Sequence, residues 1–364
     1  MKILKGDLFA KDIYGDVTTG GFVKCENVQG SVTASDKVEA TEVKGSVQSQ
    51  GSVTCHNVMG NVEASSQVTC GDIGGDLSTK GDVNCSDIHG KTECLNLTLL
   101  NKDQVSVTGD LSIKEMKTGS FGAIGKSVTI SSGTAQIEVN GSIGGALSTQ
   151  GDVNVSGEVK GNVAGKDVTC GNVSGSVQAS GNANCGAVGG SISAKEVLNF
   201  KGGDIGGNLT TTGDITCKNV GGAVSTKGAV SITGNIKGNV TSDANINING
   251  DVTGNIEGHD IGVNKNVKGD VSGENNVSIG GNVEGDVEAG KDLKCGNVTG
   301  DVCVEENATI ETITGDLEVG ENITIKGNFS GEIDCSEDLV IHGNCECSKI
   351  SVGGDTYYGK VKNV

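Results

Sequence analysis

The stretch GSVQSQGSVTCHNVM, residues 45–59, is followed without a gap by GNVEASSQVTCGDIG (60–74) and GDLSTKGDVNCSDIH (75–89), and the same frame returns as GDVEAGKDLKCGNVT at residues 285–299. Counted from the opening glycine, apolar residues stand at places 3, 9 and 14, a small residue at place 5, and a cysteine or β-branched residue at place 11. Side chains alternate across a strand with period two, so places 3 and 5 share one side of an extended segment, as do places 9 and 11. A third, shorter strand surrounds place 14. Between these segments stand Gly, Asn, Asp and Ser, residues that tolerate tight-turn backbone angles, so the chain bends about three times per repeat. A unit of 15–16 residues is too short to bury its own apolar side and needs its neighbours. The expected fold is all-β: one coil of a parallel β-helix or solenoid per repeat.

The register runs from Gly15, with Val17 and Cys25, through Gly175 and Gly207 to Gly300 and Gly315. It becomes irregular at residues 90–144 and again at 190–206, where one coil is 17 residues long. No proline-rich, serine-rich or charged linker marks either place, so the expectation is distorted coils within one domain spanning residues 1–364, with end coils at 1–14 and 348–364. Roughly 23 coils at about 4.8 Å would give a length on the order of 110 Å.

Composition agrees. The chain has 61 glycines, no proline and no tryptophan, and aromatics make up 2%, so a conventional globular core of this size is excluded. A narrow bore needs only aliphatic, Thr, Ala and Cys side chains, and proline would remove a ladder donor from a central strand. Val47, Val53 and Val58 are expected inside one coil, and Thr54 outside. Neither a signal peptide nor a membrane-spanning segment is read at the N-terminus, which predicts a cytoplasmic protein. The net charge of −19, with every positive residue a lysine, argues against nucleic acid as a partner.

Thirteen cysteines raise the question of metal or disulfide chemistry. Cys25, Cys55, Cys70, Cys85, Cys170, Cys185, Cys217 and Cys295 fall at or beside place 11 and form inward columns. Phe200, Val155, Ile232, Ile310 and Ile325 occupy the same place elsewhere. A ligand column does not interchange with Phe and Ile, whereas a small apolar filler does, and free cysteine behaves as such a filler. Neighbours such as Cys55 and Cys70 come within reach of a disulfide. Cys345 and Cys347 are the one compact pair, with no matching pair to complete a zinc site. The four histidines are far apart in sequence, and no cleft combining carboxylates with basic residues can be identified. No catalytic, metal or cofactor-binding residue, no cofactor and no small-molecule substrate is therefore expected. The six-residue spacing of hexapeptide acyltransferases is missing, the Gly-Asp and Gly-Asn pairs do not form calcium-binding nonapeptides in phase, and the outward threonines are too interrupted for an ice-binding array.

The segment GDVSGENNVSIGGNVEGDVEAGKDLKCGNVTGDV, residues 269–302, resembles the core repeat of bactofilins, the bacterial polymer-forming cytoskeletal proteins. The pattern covers most of the chain. The resemblance implies a right-handed, roughly three-sided β-helix that joins end to end into non-polar filaments without nucleotide, with the chain itself as partner. The chain is much longer than the family's core and lacks its flanking tails and membrane-targeting segment, which leaves membrane association open. Aromatics cluster near both ends: Phe9, Tyr14 and Phe22 at the start, Phe329, Tyr357 and Tyr358 at the end. Two readings follow, in which the rings plug the bore or form the contact between subunits. The function expected is a non-enzymatic, self-assembling structural protein. The rivals are a monomeric capped scaffold or surface adhesin and, further off, a carbohydrate-active β-helix enzyme.

Overall fold

Stacked apolar columns organise the molecule. The computed structural model describes residues 2–99, 107–115, 118–132, 136–197 and 203–363, and among these every regular element is a strand. The paired strands run parallel and stack as a β-solenoid of about 22 turns. By internal contacts the chain divides into two compact units, Met1–Gly181 and Asn182–Val364.

In the first unit, the face that begins at place 3 pairs Lys2 with Val17, Val17 with Val32, Val32 with Val47, Val47 with Val62 and Val62 with Leu77. The face of places 9 and 11 pairs Val38 with Val53 and Val53 with Val68. The third face is narrower and is carried by single residues such as Ile73, Ile88, Val107, Ile124 and Ile143. Val47, Val53 and Val58 are all buried, and Thr54 between them points to solvent. Each coil thus buries three aliphatic side chains against the coil on either side, at roughly 1.5–3 kcal/mol apiece. A parallel sheet covered on its inner face by other strands needs this Val and Ile richness.

The irregular stretch is a run of long coils. Paired positions Thr92, Leu111, Val128 and Leu147 are 19, 17 and 19 residues apart. The third column still pairs from Ile88 to Val107, Ile124 and Ile143. In the second unit Ile192 and Leu209 are 17 residues apart, after which the coils return to 15 or 16 as far as Ile333.

Two glycines show why the repeat opens as it does. At Gly60 an added Cβ would stand 2.8 Å from the carbonyl carbon of Gly45 in the coil below, closer than any side chain is accommodated. Gly331 adopts φ +148°, which an L side chain rarely adopts.

The corners are held by a recurring bond that sequence reasoning took only as turn chemistry. The Asn, Asp or Ser immediately before each inward apolar place accepts a hydrogen bond from the backbone amide of the equivalent residue one coil later. Examples are Asp286 to Asp301 N–H (2.8 Å), Asn235 to Asp251 N–H (2.9 Å) and Asp292 to Asn307 N–H (3.3 Å). At place 5, Ser49 Oγ donates to Asp36 O (2.6 Å) and accepts from Gly51 N–H (3.1 Å); Thr226 repeats this with Gly213 O (2.6 Å) and Gly228 N–H (3.0 Å). These buried hydroxyls satisfy the backbone where the chain turns.

Candidate functional site

The first strands, Lys2–Leu4, Leu8–Phe9 and Asp12–Ile13, each pair on one side only, with Val17–Thr19, Val23–Lys24 and Asn27–Val28. The last strand, Thr356–Asn363, pairs only with Leu339–Val352. The outer edges of these coils have no strand partner among the described residues. Their backbone donors and acceptors are open to another chain.

Phe9, Tyr14 and Tyr357 lie on the flanks of these coils, whereas Tyr358, in register with the buried Ile341, continues the inward column of place 11. Phe9 is 67% exposed, Tyr14 87% and Tyr357 61%. Phe22 and Tyr358 are half-buried. Phe9 and Phe22 pack edge to face with ring centres 4.9 Å apart, Lys37 Nζ stands 5.2 Å over the Phe22 ring, and Tyr357 lies 6.3 Å from His342. Phe329 is the fully buried one of the six, taking the third-face position paired with Ile313 and Cys345. The plug is therefore not formed by Phe9, Tyr14 or Tyr357, because Phe9 and Tyr357 occupy outward positions of their strands and Tyr14, just after Asp12–Ile13, is exposed.

Of the place-11 cysteines, Cys55, Cys70, Cys85, Cys170, Cys185, Cys217 and Cys295 are buried, whereas Cys25, in the second coil, is half-buried. None of these is joined in a disulfide. Phe200 lies outside the described residues. Burial pushes the thiols of Cys85, Cys217 and Cys295 up to about 12, as it does for Cys94 at place 5. Cys55 and Cys70 share a hydrogen bond across one coil step, which holds Cys70 below the ordinary thiol value and raises Cys55. A protonated, buried thiol is a poor nucleophile and a poor metal ligand. The compact pair Cys345 and Cys347 is joined as a disulfide, with Cα atoms 5.6 Å apart. Among the described residues no group of three or more His, Cys, Asp or Glu is arranged to hold a metal ion.

A second surface feature was not anticipated. In the second unit the outward positions beside place 3 are uncharged at Ser193, Thr210, Ser225 and Thr241 and then include Glu257, Glu288, Glu318 and Asp334, with Ser272 and Cys303 between them. With Asp270, Asp286, Asp301, Asp316 and Lys349 they line a groove of about 630 Å³. Unit charges about 5 Å apart repel by roughly 1 kcal/mol even in water, so this face opposes side-by-side approach of another acidic chain. The signal was present in the sequence as acidic residues at alternate positions of successive repeats.

No helix among the described residues is long and apolar enough to cross a membrane. Compared with known protein families, with curated proteins and with solved structures, the chain matches none.

Proposed function

We propose that this chain is a non-enzymatic structural protein of the cytosol that assembles end to end, as the bactofilin-like repeat implies. The observation that carries the reading is the pair of unpartnered strand edges, on Lys2–Leu4, Leu8–Phe9 and Asp12–Ile13 at one end and on Thr356–Asn363 at the other. Pairing an edge with another chain satisfies backbone groups that otherwise face water and extends the apolar columns across the junction. The exposed Phe9 and Tyr357 flank these edges and add apolar area to a small contact. The acidic groove and the net charge of −19 disfavour lateral association and favour joining at the ends.

The variant Phe22→Lys with Tyr357→Lys is expected to reduce assemblies to single chains in sedimentation velocity, while Thr169→Lys, outward in mid-chain, leaves them intact. Equal assembly by both variants rejects the reading. One observation favours the rival capped monomeric scaffold: lysines at Lys2, Lys5, Lys360 and Lys362 stand in or beside the edge strands, a placement that blunts edges. Monomers at every concentration would select that rival.

A further inference from the structure

The corner bonds have a direction, and it is the same throughout. Among the described residues, wherever a backbone amide bonds a side-chain oxygen about one coil away, the amide belongs to the later coil and the oxygen to the earlier one. This holds near the start, from Phe22 N–H to Asp7 Oδ1 (3.1 Å), in mid-chain, from Ala229 N–H to Asp214 Oδ1 (2.8 Å), and at the end, from Asp355 N–H to Asp338 Oδ1 (2.8 Å). The two edges are therefore chemically different. Among the described residues no oxygen of an earlier coil bonds the corner amides of Asp7 and Asp12, and no later amide bonds Asp355, the next acceptor in the series Asn322, Asp338, Asp355.

From this polarity we infer that the chain joins head to tail, the last coil of one copy seated on the first coil of the next; the inference rests on the end-to-end reading above. In that arrangement Asp355 meets the Asp7 amide as Asp338 meets the Asp355 amide, and the strand at Thr356 continues in parallel register onto the strand at Leu8. Joining two first coils instead sets amides that lack acceptors against each other, together with Asp7 and Asp12 of both copies. The outcome is a polar assembly, in contrast to the non-polar joining that the family resemblance implies.

The test uses single-edge blocks in the full chain. On the face of places 9 and 11 the amides at those two places donate forward, as Leu8 N–H does to Phe22 O, Ala10 N–H to Lys24 O and Leu339 N–H to Asp355 O, so the Phe9 amide between them faces the free starting edge and the Thr356 amide, at place 9, the free final edge. Phe9→Pro and Thr356→Pro each remove one edge donor at an exposed side chain. Phe9→Lys and Thr356→Lys serve as a second pair, should circular dichroism show that a proline variant has not folded. Mass photometry is expected to show each blocked variant as a monomer alone and a heterodimer on mixing the two, with longer species only in the unmodified chain. Homodimers of either blocked variant, without heterodimers on mixing, overturn the head-to-tail inference and leave end-to-end assembly standing. Monomers throughout, the unmodified chain included, overturn both.

Discussion

The same inward column is built in two ways. In the first unit it reads Cys55, Cys70, Cys85 in three successive coils; in the second it reads Ile232, Ile248, Val263, Ile279 in four. Both runs are buried; the second lies in strands of unbroken parallel register, and in the first Cys70 directly follows Val68–Thr69, which pairs in parallel with the strands of Cys55 and Cys85. The comparison teaches that the position selects for volume and burial, and that thiol chemistry is incidental to it. A column that accepts isoleucine and cysteine in turn is a packing element. What the two runs do not share is their response to charge and to pH, and that is where they can be separated.

The largest effect is expected where charge enters the column itself. Val53, fully buried beside Cys55, has neighbours Val38 and Val68 in register above and below. Val53→Asp places an unpaired carboxylate between them and should destabilise the first unit by more than about 4 kcal/mol, seen as loss of its cooperative melting. Thr54→Asp, on the outer face one residue away, should leave the melting temperature nearly unchanged. Equal destabilisation would mean that the strand register is wrong.

Alkaline pH should distinguish thiol from aliphatic next. Cys85 is held near 12 by burial, against 9.0 for a free thiol, so between those values the folded chain keeps a proton that the unfolded chain has lost. The unfolded state then binds fewer protons and stability falls as pH rises from 9 towards 12; below 9 the contribution is fully present. In urea unfolding the equilibrium constant for unfolding of the first unit should rise by up to about a factor of ten per pH unit for each such thiol. Cys85→Val should flatten that slope at a cost of about 1–2 kcal/mol at neutral pH. An unchanged slope in the variant would contradict the burial of the thiol.

A smaller effect sits at Thr92, where a column otherwise filled by residues such as Leu77 and Leu111 holds a fully buried hydroxyl with no hydrogen-bond partner among the described residues. Thr92→Val keeps the shape and removes the unsatisfied group. It should raise stability by roughly 1–3 kcal/mol in chemical denaturation. A loss of stability would show that the hydroxyl is satisfied.

Much of this was legible in the sequence because a strand has period two and a stacked coil repeats its neighbours. Val47, Val53 and Val58 could be placed inside and Thr54 outside from spacing alone. The corner bonds were harder to see. Asp286 or Asn235 looks like an ordinary turn residue until the amide one coil later is known to lie within reach, and sequence carries no distance between coils. The coils from Thr92 to Leu147 were illegible for a related reason: additional residues break the count while the third column, Ile88, Val107, Ile124 and Ile143, continues to pair. The rings of Phe9 and Tyr357 were assigned to the termini correctly, but whether they face the bore or the solvent turns on a one-residue shift of register that so short a first coil does not fix. The acidic groove required reading alternate residues of separate repeats as one surface.

The central claim, assembly through free strand edges, is tested most directly by negative-stain electron microscopy of the purified chain over a wide concentration range. Filaments of uniform single-coil width that lengthen with concentration, without side-by-side bundles at low salt, are the predicted result. Separate particles of single-chain length at every concentration, pH and salt would contradict it.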